Sequence, residues 1–194
     1  MDSQPTTRRQ LPVDFKLLKG AHSSAEAGMC LLEATAYLAG EPHSDSPQCA
    51  CPVLASFGRR LNDCLDDTER QLLVGFAEKL IGTRSTLEVE RKRAFHFADA
   101  AVRIFAPMAL EARGRHDDAK KLRDLPKIVD RETAAYAAAY AAAYAAYAAA
   151  YAAADAAAAA AAAYVAAAAY VAGSRMPAIE TAVKTFELAL AITD

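Results

Sequence analysis

The chain has no Trp, and its β-branched residues are sparse. No segment alternates apolar and polar residues for long, so the usual mark of a half-buried strand is missing. There is no Gly-rich phosphate loop and no Ser-His-Asp signature, which sets aside the commonest nucleotide-binding and hydrolase motifs. The first ten residues, Met1 to Gln10, are polar and carry Arg8 and Arg9 instead of the apolar stretch of an export signal. The four Cys are therefore expected as thiols, and the expected compartment is the cytoplasm. The deepest absence lies between Ala134 and Ala172. Of those 39 residues 29 are Ala, seven are Tyr and two are Val, and Asp155 is the single charge. Gly, Pro, Leu, Ile and Phe are all missing there. Without Gly or Pro nothing breaks a helix, and Ala is the strongest helix former. Without Leu, Ile or Phe the stretch gains little from a bilayer, so no membrane span is expected.

The full chain has 194 residues and a net charge of −2, with no global attraction to nucleic acid or to an anionic membrane. The basic clusters Arg91–Lys92–Arg93 and Lys120–Lys121–Arg123 alternate with acids and read as a solvated, ion-paired surface. Residues 1–20 read as a flexible tail that closes on a short apolar anchor (Val13, Phe15, Leu17, Leu18). Residues 21–194 read as a single helical domain.

Helix signals recur along that domain. Ser23 and Glu26 have capping-box spacing ahead of an apolar run, and Gly40 stops that first helix. Pro52 suits the first position of a second helix carrying Val53, Leu54, Phe57, Leu61 and Leu65. Asp66 with Glu69 predicts a third helix that ends at Gly82. Ser85 with Glu88 predicts a fourth, from about Leu87 to Ala112, which Pro107 should kink or end. Asp99 and Arg103 are spaced for an i,i+4 ion pair. Gly114 breaks the chain, a charged helix runs from Asp117 to Leu125, and Pro177 opens the last helix. His116–Asp117 resembles the dipeptide of metal-dependent HD phosphohydrolases, but in this charged setting Asp117 reads as an N-cap. The fold class is all-α. The expected form is an antiparallel bundle of about six to seven helices with one very long Ala/Tyr helix over about 131–172.

A straight helix of that length would extend about 58 Å, whereas a compact domain of this size measures roughly 40 Å across. The helix must protrude, bend near Asp155, or pack on another chain. Tyr136, Tyr140, Tyr144, Tyr147 and Tyr151 step by 4, 4, 3 and 4. At helical spacing they fall within an arc of about 80°. Such a stripe is either a packing face within the fold or a surface for self-association, where Tyr is favoured.

A second focus is the loop Glu41–Pro42–His43–Ser44–Asp45–Ser46–Pro47–Gln48–Cys49–Ala50–Cys51–Pro52. His43, Asp45, Cys49 and Cys51 are residue types that Zn²⁺ takes. Their spacing differs from the usual pairs two to four residues apart, and a rigid interhelical turn accounts for the same residues. Met29–Cys30–Leu31–Leu32–Glu33–Ala34, Tyr37–Leu38–Ala39–Gly40–Glu41–Pro42–His43–Ser44–Asp45, Cys49–Ala50–Cys51–Pro52–Val53–Leu54 and Leu61–Asn62–Asp63 carry a resemblance. The pattern resembles a group of uncharacterised bacterial and phage-borne all-helical proteins over roughly residues 29 to 110. In that group a His stands where this chain has Ser46, and the resemblance implies no activity. Two functional readings follow. The leading one is a non-enzymatic interaction module without cofactor, which self-associates through the Ala/Tyr helix and, by analogy with phage carriage, modulates a host protein. The other is a metal-dependent enzyme or metal-stabilised module using His43, Asp45, Cys49 and Cys51, with Zn as the candidate ion.

Overall fold

The computed structural model describes residues 9–138 and 175–193, and these are helical with no strand among them. Their contacts divide the chain into two compact units, one reaching to Glu90 and one from Arg91 to Ile192.

In the first unit, α1 (Leu31–Ala39) packs against α2 (Pro52–Cys64) and α3 (Val74–Lys79), and a 3₁₀ turn, Glu69–Leu73, leads into α3. The predicted first helix starts too early. Residues 23–27 form bends and turns, and α1 begins only at Leu31. Two physical reasons account for the shift. Gly28 sits at φ 130°, which no helix tolerates. The cap is Glu33 rather than Glu26, because Glu33 Oε2 accepts the Cys30 N–H at 2.8 Å. Gly40 ends α1 at φ 73°, as its position predicts. Pro52 occupies the first turn of α2. Asp66 and Glu69 cap each other reciprocally, with Asp66 N–H to Glu69 Oε2 at 3.0 Å and Glu69 N–H to Asp66 Oδ1 at 2.9 Å.

The core of this unit holds Leu31, Leu32, Leu54, Leu61, Leu73, Phe76 and Leu80, all buried. Each such side chain contributes about 1.5–3 kcal/mol by leaving water. Leu17 joins them at 0% exposure, whereas Val13 is fully exposed. Hydrogen bonds hold the segment around Leu17. Its N–H donates to Gln71 Oε1 at 2.9 Å, Leu18 N–H to Met29 O at 2.9 Å, and Gly20 N–H to Asp63 Oδ1 at 2.9 Å. Arg70, 1% exposed, serves the core as a donor: Nε bonds Asn62 O at 2.8 Å and Nη2 bonds Leu65 O at 2.6 Å.

The helix α4 (Leu87–Ala100) carries the chain into the second unit. Thr86, not Ser85, stands at its start, its Oγ1 accepting the Val89 N–H at 3.4 Å. A π turn, Ala101–Phe105, follows, and α5 (Ala106–Glu111) continues the path. Pro107 therefore does not end the helix. Proline lacks the N–H for the carbonyl four residues back and clashes with it. A widened turn placed just before Pro107 absorbs both problems. Gly114 turns the chain at φ 73°. The next helix, α6 (His116–Arg123), packs on α5 and the π turn. Its N-cap is Arg115, so Asp117 lies in the first turn and does not cap. Asp99 works on two sides here. It pairs with Arg103 at 3.1 Å and accepts the Ile128 N–H at 2.9 Å.

Residues 131–138 are helical, and Asp130 caps them through Thr133 N–H at 2.8 Å. Beyond 138 the expected long helix, with Tyr140, Tyr144, Tyr147, Tyr151 and the bend near Asp155, lies outside the described residues. The last helix, α7 (Arg175–Leu190), has Pro177 in its first turn. It buries Ile179, Ala182, Phe186 and Ala189 and is tied to the start of this unit. Arg93 Nη2 donates to Ile192 O at 2.9 Å, and His96 Nε2 lies 3.1 Å from Thr185 O.

Candidate functional site: a buried glutamate beneath the His43 loop

Glu33 faces the core at 1% exposure, one turn into α1. Its carboxylate is occupied on both oxygens. Oε1 accepts the His22 N–H at 2.6 Å, and Oε2 accepts the Cys30 N–H and the His22 ring Nδ1 at 2.8 Å each. His43 Nε2 lies 3.4 Å from Oε1 and 2.9 Å from the carbonyl of His22. Burial alone would push the Glu33 carboxyl up. The amides of Cys30 and His22 and the His22 ring outweigh it and hold the group below its ordinary range. Glu33 is thus an anion that fixes two imidazoles.

Those contacts also set the ring tautomers. A carbonyl oxygen only accepts, so His43 carries its proton on Nε2, and Nδ1 is left buried with no hydrogen-bond partner. A carboxylate likewise calls for a proton on His22 Nδ1. The ring of His22 rests on Gly28. A Cβ at Gly28 would come 3.2 Å from His22 Cδ2 and 2.4 Å from Leu18 Cδ1.

The four residues singled out as metal ligands go to separate partners. His43 turns inward to His22 and Glu33. Asp45 pairs with Arg59, its Oδ2 lying 3.2 Å from Arg59 Nε. The Cys49 N–H donates to Glu41 Oε1 at 2.7 Å, while Glu41 Oε2 takes the Gln48 N–H at 2.6 Å, which closes the loop on itself. Cys51 is fully buried, and its N–H donates to Thr83 Oγ1 at 3.0 Å. Among the described residues no group of three or more His, Cys, Asp or Glu side chains is arranged to hold a metal ion. Burial and the neighbouring Glu41 push the Cys49 thiol up to about 11. Burial, reinforced by the charge of Glu33, pushes the Cys30 thiol up to about 12. Thiols so placed are neutral at pH 7 and weak nucleophiles.

Of the Tyr stripe, Tyr136 is described, and it is 55% exposed. The other face of the same helical turn is buried. Ala137, 1% exposed, sits in a cluster with Leu122, Leu125 and Ile128, and Ala134 packs against it. At the root of the stretch, Ala134 and Ala137 face the fold, while Ala135, Tyr136 and Ala138 face outward.

Glu33 and His22 are the functional candidates that residue patterns do not single out. One signal existed for Glu33: it is the lone charge in the apolar run Met29–Leu38. A charge in such a run is either a helix break or a buried, fully bonded group. Among the described residues no helix is long and apolar enough to cross a membrane. No protein-family model, no curated protein and no solved structure matches the chain.

Proposed function

We propose that the chain is a non-enzymatic protein-interaction module that self-associates through its Ala/Tyr stretch. The observation that carries this reading is the split at 134–137. Ala134 and Ala137 pack on the Leu122–Leu125–Ile128 cluster while Tyr136 stands 55% exposed. Tyr140 and Tyr147 lie within about 40° of Tyr136 in helical phase, and Tyr144 and Tyr151 border that arc on the side of Ala137. In the proposed arrangement a helix over about 131–172, one member of an antiparallel bundle, presents Ala to its own fold and Tyr to a second copy. Tyr suits that surface because it buries a large ring while its hydroxyl keeps a polar contact. A stretch with Asp155 as its single charge has no ordinary solvated face, which also favours a covering chain. A host protein on the same surface is the competing occupant, an analogy from the phage-borne proteins that the Cys30–Asp63 pattern resembles.

Light scattering on the parent and on the Tyr140→Glu, Tyr147→Glu double variant tests the reading. The expected result is a parent that associates at micromolar concentration and a variant that does not. A parent that is monomeric at that concentration, and unchanged in the variant, overturns it.

A second reading, a metal-dependent enzyme or metal-stabilised module on the His43 loop, draws on one feature, the unpartnered Nδ1 of His43. Elemental analysis of untagged protein separates the two. Stoichiometric Zn supports the metal reading. Its absence, with no stability lost to a chelator, removes it.

A further inference from the structure

We infer that the outer side of the same loop is a binding site for a small phosphomonoester. A pocket of about 260 Å³ opens there, walled by Ser46, Pro47, Pro52, Ala55, Arg59 and Arg84. Its charged side chains are both guanidiniums, drawn from separate parts of the chain. Arg59 comes from α2, and Arg84 precedes α4 and reaches the loop across 36 residues of sequence. Arg59 Nη2 donates to Asp45 O at 2.5 Å and to Ser46 Oγ at 3.2 Å, and Nε faces the Asp45 carboxylate at 3.2 Å. Arg84 differs. Its Nη1 donates to Gln48 O at 3.0 Å and to Gln48 Oε1 at 3.1 Å, both neutral acceptors. No carboxylate among the described residues pairs with Arg84. The fold therefore orients an uncompensated guanidinium beside a second one, with its position set before any ligand arrives.

Guanidinium forks match the oxygens of phosphate, which a compact anion such as chloride cannot exploit. Two further features favour the same chemistry. Pro52 and Ala55 belong to the first turn of the 13-residue helix α2, whose N-cap, Cys51, makes no side-chain cap bond. The positive end of that helix adds to the two arginines. Ser46 is exposed and brings a hydroxyl to the rim. The remaining wall, Pro47, Pro52 and Ala55, is apolar. A bare ion would leave it unused, whereas the organic part of an ester would cover it. The volume lies below the roughly 300–1,000 Å³ of drug-sized sites, so the ester is small. Asp45 offsets one positive charge, and Glu41 has its carboxylate on the Gln48 and Cys49 amides, so a dianion meets a site of net positive sign.

Titration of the ¹⁵N-labelled full chain with phenyl phosphate and with inorganic phosphate tests the site. Saturable amide shifts at Ser46, Gln48, Ala50 and Val53 are expected, with the ester binding more tightly than the free ion. Arg84→Gln, an exposed position, should weaken the ester about tenfold or more, the loss of one charge-assisted fork. Ser46→Glu, also exposed, puts a negative charge at the rim and should abolish binding, so the test does not hang on one variant. No saturable shift up to about 10 mM, far above the affinity of a specific site, overturns the proposal. Equal affinity for the parent and Arg84→Gln overturns it as well. Free phosphate binding as tightly as the ester overturns the ester assignment.

Discussion

Replacing Glu33 by Ala removes the acceptor for three donors at once: the His22 and Cys30 amides and the ring of His22. The Cys30 amide is buried and has no water to turn to, whereas the half-buried His22 can partly rehydrate. Counting about 1–3 kcal/mol for each buried donor left unmet, and discounting His22, gives a loss of about 3–4 kcal/mol. For a chain of this length that lowers the melting temperature by about 6–16 °C. Urea unfolding followed by the helical circular dichroism signal reads it as a lower midpoint with an unchanged slope. The pH dependence is a second reading of the same group. The folded carboxyl lies below its ordinary value of 4.5, so folding favours the charged form. The stability it contributes is fully present above that value and is lost as pH falls through the folded one. Glu33→Gln keeps one acceptor oxygen and cannot titrate, so it should be destabilised at neutral pH and lose less on acidification than the parent. A Glu33→Ala chain within about 0.5 kcal/mol of the parent, the range of an ordinary surface substitution, would refute the keystone role. So would identical acid sensitivity in the parent and Glu33→Gln.

Two further outcomes follow from the same region. Gly28→Ala should cost about 1–3 kcal/mol, because φ 130° is strained for a side chain and the new methyl meets Leu18 Cδ1 at 2.4 Å. A variant as stable as the parent by urea unfolding would show that His22 does not need its seat on Gly28. Iodoacetamide at pH 8 should alkylate Cys30 and Cys49 slowly, since their thiols are pushed up to about 12 and about 11. Fast labelling of Cys49, read by peptide mass spectrometry, would contradict this and strengthen the reading of the loop as a reactive or metal-binding site.

Local chemistry carried most of what was legible in the sequence. Pro52, Gly40, Gly114 and the Asp66–Glu69 pair act within one turn of themselves, and each marks a boundary in the structure where its residue type places it. Where two local signals competed, sequence could not rank them. Ser23 with Glu26 has the spacing of a cap, but Glu33 takes the Cys30 amide, and Gly28 makes the earlier start impossible. Pro107 reads as a kink or a stop, and nothing in its neighbours announces a π turn. The site was half legible for a different reason. His43 stands out as a residue type, but its partners are 21 residues away at His22 and on the buried side of α1 at Glu33. Arg84 joins the loop over 36 residues. Contacts of that range come from packing and leave no periodicity to read.

The reading of the Ala/Tyr stretch as a self-association surface is tested most directly by the mass of the full chain in solution. Sedimentation equilibrium over a concentration series should give a mass that rises from one chain of 20.6 kDa toward twice that value. It should fall back to one chain when Tyr136 is replaced by Glu together with Tyr140. A mass that stays at 20.6 kDa across the series would contradict the account, whatever the tyrosines do.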